Sequence, residues 1–427
     1  MELKAGILNF WIDILLNIPE IGEHSLVVSA LSYLIGEEFF QDKERAFFAG
    51  VGGMLHDIGF IVPRFSESLY TIREIYAVLD SMQGEKTPFS VHTTIGGYIL
   101  SNFLKLSQYS DIAFYHHTPA SELDPGEFTH IVANIVGAAD IIALHTEKMD
   151  LSIAKDVMPD ILRMNKQFFF PEVLDVTLNA LSKDYTWWSM EDPQYFFVNT
   201  VIPSIGRPSG EKTSIEDLIE MGHFTSYVVD TKSPFTRKHS ERIALLARDV
   251  GKELGLPDSI CTELYIAGLF HDIGKLAIDL SILEKPGPLT KSEFWKMRKH
   301  VFYTEVFLHH FEKEGYRWPI WASQHHERLD GSGYPKRLTA KDIPLQSRIL
   351  QVADVFVAFT EERPYRSALS SSLALDAIRK EVEAGRLDAD VFRTLERMVK
   401  NGYTFPERTM TGEIIDSVKF LLESMGG

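Results

Sequence analysis

The amino-acid sequence predicts an all-α protein of two tandem helical domains, each of them a bundle around a metal site. Three observations lead to this prediction. Strand signals are few, whereas apolar residues often recur at helical spacing. The length of 427 residues is typical of two domains. A set of histidine and aspartate residues also occurs twice, in the same order and at similar spacing.

Helical spacing is clearest after His239, where apolar residues recur every three or four positions until Gly255 interrupts the pattern. Similar patterns predict helices over 91–107, 127–147, 343–361 and 373–384. Gly59 and Gly274 each follow a His-Asp pair closely, as a glycine that ends a helix would. We therefore expect each pair at a helix C-terminus, whose partial negative charge favours a cation.

The predicted domain boundary lies in segment 202–210, which is rich in proline, glycine and serine. The residues that follow, 213–216, resemble a capping box that opens a new helix. We predict domains over 1–205 and 213–427.

Composition excludes several classes of partner. The net charge is −17 and no run of basic residues occurs, which argues against a polynucleotide or an anionic membrane surface. No segment approaches the roughly 20 apolar residues of a membrane span. Cys261 is the single cysteine, so no disulfide or thiolate cluster forms within the chain. We expect a cytoplasmic protein, and the sequence does not indicate its oligomeric state.

The repeated residues are candidate metal ligands, because imidazole and carboxylate groups hold divalent cations. The first two histidines of each set are 32 positions apart, and the lone histidine and the His-His pair are 24 or 25 apart. The pair and the final aspartate are 23 positions apart in the first half and 28 in the second. The two sets are His24, His56, Asp57, His92, His116, His117 and Asp140, then His239, His271, Asp272, His300, His325, His326 and Asp354.

Any one such histidine is more often structural, but the repetition of the whole set argues for metal. Adjacent residues on a helix point about 100° apart, so His325 and His326 cannot both serve one apolar face. They can converge on two neighbouring ions, with Asp272 as a bridge. Without thiolates, we favour iron or manganese as the two divalent ions, with zinc, nickel or others also compatible.

These residues resemble the HD phosphohydrolase superfamily, and the second half resembles its HD-GYP branch over roughly residues 214–400. Segment 233–240 reads Ser-Pro-Phe-Thr-Arg-Lys-His-Ser, and segment 271–275 reads His-Asp-Ile-Gly-Lys. Segment 325–335 reads His-His-Glu-Arg-Leu-Asp-Gly-Ser-Gly-Tyr-Pro. Asp354 is followed at 363–366 by Arg-Pro-Tyr-Arg. The domain order also resembles tandem phosphodiesterases that include the Vibrio cGAMP-degrading enzymes.

The resemblance implies a phosphodiesterase that converts cyclic di-GMP or 3′,3′-cGAMP to the linear dinucleotide, with mononucleotides as an open further product. It implies that Asp272 bridges two metals, one held by His239, His271 and Asp354 and the other by His300, His325 and His326. A hydroxide between the metals would attack the phosphate. Asp272 and Lys275 would take part in catalysis. Phosphate and guanine would be bound by Lys275, Arg363 and Arg366, with Tyr334 on a flexible loop at the mouth.

The second half departs from the pattern at two positions. Phe235 stands where some relatives have a glutamate that binds a third metal, so we expect two metals. Val301 follows His300 where proline is usual, which weakens the assignment of His300 as a ligand.

The first half keeps every ligand position, and Glu20 adds a carboxylate four residues before His24. Phe60, however, stands where Lys275 stands in the second half. Neither a GYP loop nor an arginine segment follows. The first domain is therefore a regulatory or structural module, a phosphohydrolase such as a 5′-nucleotidase, or a metal-dependent oxidase.

Two other functions remain open for the second half. One is a cyclic dinucleotide receptor without turnover, which the intact ligand set disfavours. The other is a phosphohydrolase acting on ppGpp or a deoxynucleoside triphosphate, which the GYP motif disfavours.

Overall fold

The computed structural model divides into two compact units, and the division falls between residues 200 and 212. The predicted boundary segment 202–210 lies outside the described residues, so the domain limits stay a prediction. The residues described are 22–61, 88–103, 106–196, 199–200, 212–231, 239–283, 285, 287–361 and 368–406.

Regular structure in these residues is helical, apart from one isolated antiparallel bridge between Asp330 and Thr339. The prediction of an all-α fold is confirmed.

The first unit is built around α1, which packs against both α2 and α5. The inward faces of these helices carry small and aliphatic side chains that are fully buried, such as Val28, Ala49 and Ile135. The α-helices of this unit are α1 (Gly22–Phe40), α2 (Lys43–Leu55), α3 (Pro88–Ser101), α4 (Ser110–Tyr115), α5 (Phe128–Thr146), α6 (Leu151–Met164), α7 (Pro171–Leu181), α8 (Asp184–Glu191) and α9 (Pro193–Phe196).

The second unit repeats this arrangement, with α11 packed against α12 and α16. Its α-helices are α10 (Ile215–Thr231), α11 (His239–Glu253), α12 (Asp258–Phe270), α13 (Leu280–Leu283), α14 (Lys291–Lys313), α15 (Trp318–Ser323), α16 (Leu345–Thr360), α17 (Ser371–Glu383) and α18 (Ala389–Lys400).

An aromatic cluster fixes three helices of the second unit together. The rings of Phe270 and Trp318 stack with centres 5.0 Å apart, and the ring of Phe311 lies 5.4 Å from that of Trp318. All three side chains are completely buried. Aromatic groups contribute large buried areas, so this cluster stabilises the packing of α12, α14 and α15. Phe270 is the last residue of α12, so the cluster also fixes the helix end that precedes His271.

The helices predicted from periodicity are present, with ends that differ by a few residues. Segments 127–147, 343–361 and 373–384 correspond to α5, α16 and α17, and α11 ends two residues before Gly255. Gly255 has a φ of 74°, the left-handed conformation that suits glycine after a helix. In segment 91–107, the residues up to Ser101 belong to α3, and a short 3₁₀ turn begins at Ser107 (Ser107–Tyr109).

The predicted capping box before α10 is displaced by one residue. The hydroxyl of Ser214, not Thr213, accepts the backbone N–H of Asp217. Thr213 instead donates its backbone N–H and its hydroxyl to the carboxylate of Glu314. Thr213 therefore anchors the start of the second unit to the end of α14.

Helix α5 is long and apolar enough to cross a membrane, with a mean hydropathy of 1.4 in its most apolar window. The expectation that no segment approaches a membrane span is therefore wrong by length and composition, within the described residues. The window is 61% buried and the helix carries the buried Asp140. A core helix passes the same test, so this finding is weak evidence for a span.

Candidate metal centres

In the second unit, the seven predicted ligands converge from five helices. His239 begins α11, His271 and Asp272 follow the end of α12, and His300 lies in α14. His325 and His326 follow α15, and Asp354 lies in α16. Ligand atoms lie within 4.8 Å of one another in two groups, which are His239, His271 and Asp354, and His300, His325 and His326.

Asp272 lies between these two groups and turns one oxygen toward each. Its Oδ2 is 3.1 Å from Nε2 of His271 and 3.8 Å from Nε2 of His239. Its Oδ1 is 3.6 Å from Nε2 of His300 and 3.9 Å from Nε2 of His325. A carboxylate that divides its oxygens in this way has the geometry of a bridging ligand.

Asp354 divides its oxygens in the same manner. Oδ1 lies 3.7 Å from Nε2 of His239, and Oδ2 lies 3.9 Å from Nδ1 of His326. The predicted ligand set is therefore assembled around one point, including His300, although Val301 follows it. The Val301 side chain is completely buried, so the residue that replaces the usual proline packs in the core.

Three histidines are oriented by the backbone. Nδ1 donates to a carbonyl oxygen three residues earlier in His271 (Gly268, 2.7 Å), His300 (Met297, 2.6 Å) and His325 (Ala322, 2.7 Å). This bond places the proton on Nδ1 and leaves the lone pair on Nε2. The three Nε2 atoms are buried and make no hydrogen bond in the described structure.

Burial keeps several of these rings neutral. It lowers the pKa of His300 to about 4 and that of His325 to about 3. Burial would raise the pKa of Asp272, but the charges of His271 and Lys275 hold it well below its usual range. Neutral imidazole and ionised carboxylate are the protonation states that bind metal.

His239 is oriented differently, by a side chain that the sequence analysis missed. Its Nδ1 lies 2.8 Å from Oε2 of Glu361, a carboxylate that is 8% exposed. The other oxygen of Glu361 accepts a hydrogen bond from Arg242 at 3.2 Å. Glu361 stands seven residues after Asp354, in extended conformation just past the end of α16, so helical spacing did not place it beside His239.

Of the three cationic residues predicted to bind substrate, Lys275 is among the described residues. Nζ of Lys275 lies 2.5 Å from Oδ2 of Asp272, so in this structure it pairs with the bridging carboxylate. Arg363 and Arg366 lie outside the described residues, as does Phe235. Their assigned roles stay predictions.

The GYP loop, residues 330–335, is held at both sides by hydrogen bonds, and its predicted flexibility stays a prediction. Glu327, which is fully buried, accepts the backbone N–H groups of Lys336 at 2.7 Å and Leu338 at 2.9 Å. Tyr334 donates its backbone N–H to the carbonyl oxygen of His326. The loop thereby places the Tyr334 ring 4.9 Å from the His326 ring, and its role in substrate binding stays a prediction.

The His-Asp pairs lie at helix C-termini as predicted, but the glycines after them do not end the helices in a left-handed conformation. Gly59 and Gly274 do not have a positive φ, and each lies in a 3₁₀ turn. A Cβ at Gly274 would lie 1.9 Å from the carbonyl oxygen of His300, and one at Gly59 would lie 2.0 Å from that of His92. Both glycines permit the close packing that brings the third histidine to the centre.

The first unit repeats the division of carboxylate oxygens. Oδ2 of Asp57 lies 3.3 Å from Nε2 of His56 and 3.7 Å from that of His24. Oδ1 of Asp57 lies 3.2 Å from Nε2 of His92 and 3.7 Å from that of His116. Asp140 completes the set, with Oδ1 at 3.0 Å from His24 and Oδ2 at 3.8 Å from His117.

The two centres differ in what lies against them. Phe60 stacks on the ring of His92 with centres 4.2 Å apart and planes 15° apart, where Lys275 stands in the second unit. Burial would lower the pKa of His56, but Asp57 and Asp140 raise it to about 10. Glu20 lies outside the described residues.

The donor chemistry of both centres fits two divalent ions. Buried Nε2 atoms without hydrogen bonds face ionised carboxylates that have two oxygens to share. Nitrogen and oxygen donors without sulfur suit iron, manganese or zinc.

Two HD domain families match this chain, over residues 21–154 and 224–391. A 3′3′-cGAMP-specific phosphodiesterase of Vibrio cholerae is 32% identical over 392 residues, which cover 89% of this chain and 88% of that protein. A cyclic di-GMP phosphodiesterase of Pseudomonas aeruginosa is 37% identical over 40% of each chain. The crystal structure of another Vibrio cholerae cyclic GMP-AMP-specific phosphodiesterase has the same fold, with a TM-score of 0.58 and 19% identity over 94% of this chain and 99% of that one.

Proposed function

This chain belongs to the HD domain family, as a tandem member related over most of its length to a 3′3′-cGAMP-specific phosphodiesterase, and from that premise we propose that its second unit hydrolyses cyclic dinucleotides. The substrate is cyclic di-GMP or 3′,3′-cGAMP, and the reaction opens one 3′,5′-phosphodiester to give the linear dinucleotide. The observation that carries the proposal is the division of the Asp272 oxygens between two groups of histidines.

We propose His239, His271 and Asp354 as ligands of one divalent ion and His300, His325 and His326 as ligands of the other, with Asp272 shared. When bound, two such ions acidify a water molecule and offset charge on the phosphoryl oxygens of an in-line displacement. The buried, neutral imidazoles contribute donors without added positive charge.

The remaining residues bind and orient the substrate. Lys275 lies beside Asp272 with its side chain 21% exposed, so its ammonium group can reach a phosphate oxygen at the edge of the centre. Arg363 and Arg366 are proposed to bind phosphate or guanine through their planar donor groups. Tyr334 is held beside His326 by the GYP loop and forms one wall of the substrate site.

For the first unit, we propose a second pair of metal ions on the repeated ligand set. Retention of that geometry favours a phosphohydrolase acting on a smaller phosphate, such as a 5′-nucleotidase. The replacement of a cation by Phe60 favours a regulatory or structural role. Redox chemistry is the third alternative.

The test uses the full-length protein, loaded anaerobically with Fe²⁺ or Mn²⁺ and incubated with each cyclic dinucleotide. Chromatography should show the linear dinucleotide, and extended incubation would show whether mononucleotides follow. His271→Ala and Asp272→Ala should reduce the rate at least 100-fold. The matched variants His56→Ala and Asp57→Ala should keep cleavage of the cyclic substrate. Unchanged rates in His271→Ala and Asp272→Ala would overturn the assignment.

The same protein separates the competing functions. Tight nucleotide binding without product on any metal would favour a receptor. A higher catalytic efficiency on ppGpp or a deoxynucleoside triphosphate than on either cyclic dinucleotide would favour a different phosphohydrolase.

A further inference from the structure

Arg298 lies in α14, two residues before His300, and its side chain contacts the GYP loop. Its guanidinium carbon lies 4.3 Å from the ring centre of Tyr334 and 6.0 Å from that of Phe294. Tyr334 in turn lies 4.9 Å from His326. A continuous series of side chains therefore leads outward from the metal centre through Tyr334 to Arg298.

The contacts of Arg298 are unusual for an arginine of this protein. The other half-buried arginines among the described residues of the second unit donate to oxygen acceptors, as Arg348 does to Asp388 and Arg328 does to the carbonyl oxygen of Glu327. Within the described ranges, the contacts of Arg298 are the two aromatic rings. In a chain with 60 acidic and 43 basic residues, a half-buried arginine that contacts no carboxylate among the described residues indicates a group that is kept for an external ligand.

Contact with the two aromatic rings restricts the conformations of the Arg298 side chain but leaves its N–H donors unused. Those donors can pair with two acceptors on one edge of a base. Guanine presents two acceptors on one edge, N7 and O6, whereas adenine presents an acceptor and a donor there. The paired N–H donors of an arginine can therefore bind N7 and O6 of guanine. On adenine, one of these donors would face another donor.

We propose that Arg298 is a substrate-binding residue that recognises a guanine base of the cyclic dinucleotide. This inference rests on the proposed function of the second unit and adds a source of base specificity to it. Cyclic di-GMP and 3′,3′-cGAMP both supply a guanine, and cyclic di-AMP supplies none. The alternative, a contact with a phosphate, would affect all three molecules equally.

The test compares Arg298→Gln with Lys299→Gln, which removes the same charge from the exposed neighbouring position. Steady-state kinetics and equilibrium binding are measured for the three cyclic dinucleotides on full-length, metal-loaded protein. Arg298→Gln should raise KM and Kd for cyclic di-GMP and 3′,3′-cGAMP about 10- to 100-fold, because a bidentate base contact is lost. Its kcat and metal content should stay near wild type, and Kd for cyclic di-AMP should not rise.

Lys299→Gln should resemble wild type with all three molecules. If Arg298→Gln weakens the binding of all three cyclic dinucleotides equally, Arg298 contacts a phosphate and the proposal is overturned. Binding equal to that of wild type in this variant would also overturn the proposal. If wild-type protein cleaves none of them, the proposed function fails. The binding measurements still decide the role of Arg298. If wild-type protein binds cyclic di-AMP as tightly as the two guanine-containing molecules, the proposed role of Arg298 is also overturned.

Discussion

Nδ1 of His239 donates to Oε2 of Glu361 at 2.8 Å, so this candidate ligand is supported by a carboxylate. His271, His300 and His325 donate the equivalent proton to backbone carbonyl oxygens. A carboxylate acceptor makes the opposite ring nitrogen more basic than a carbonyl acceptor does. The ion beside His239 should therefore be held more tightly than its neighbour.

Glu361→Gln should lower the affinity for the ion beside His239 about tenfold or more, because the amide keeps an acceptor but loses the charge. Metal per chain is measured by elemental analysis during chelator titration. Glu147→Gln is the matched control, because Glu147 stands seven residues after Asp140 as Glu361 does after Asp354, but it is exposed. Equal metal retention in both variants would contradict this role of Glu361.

Glu327→Gln should loosen the GYP loop. The amide can accept one of the two backbone N–H groups that the carboxylate accepts, and the other loses its partner at a cost of about 1–3 kcal/mol. We expect a higher KM for the cyclic dinucleotide with unchanged metal content. Asp330→Asn, in the exposed part of the same loop, should change KM little. Wild-type KM and unfolding temperature in Glu327→Gln would show that the loop does not need this anchor.

Gly274→Ala should separate His300 from the centre, because the new methyl group would lie 1.9 Å from its carbonyl oxygen. Overpacking of this kind costs about 1–3 kcal/mol or more. Denaturant unfolding should show a weaker second unit, and elemental analysis should show lost metal. Thr304→Ser keeps the hydroxyl that accepts the Gly274 N–H and should remain near wild type. Normal stability and metal content in Gly274→Ala would contradict the packing argument.

The metal-free second unit should lose stability as the pH falls from about 6.5 to about 4. Burial lowers the pKa of His300 to about 4, whereas the unfolded chain keeps a value near 6.5. In that window the unfolded state binds more protons, so acid favours unfolding. His300→Gln should reduce the slope of stability against pH in denaturant titrations. An unchanged slope would show that His300 is not the group responsible.

Sequence reasoning identified the candidate ligands because they recur at fixed spacing on helices whose ends carry the His-Asp pairs. It missed Glu361, because its contact with His239 depends on where the chain runs after α16. It misassigned Gly59 and Gly274, since a helix-ending glycine and a closely packed glycine occupy the same position in a sequence. Arg298 was missed because the Tyr334 ring that it contacts comes from a different part of the chain.

The loop that carries Tyr334 illustrates a further limit. The sequence predicted a flexible loop but did not reveal the buried carboxylate of Glu327, which accepts two backbone N–H groups beside it. The capping box before α10 was displaced for a similar reason, since Thr213 is engaged by Glu314 in another helix.

The equivalent division of the Asp57 and Asp272 oxygens has a consequence for stoichiometry. Full loading of both units would give four ions per polypeptide, so a value of two describes either one saturated pair or two half-filled pairs. Titrations on the Asp57→Ala and Asp272→Ala backgrounds would assign each equivalent of metal to its own half of the protein.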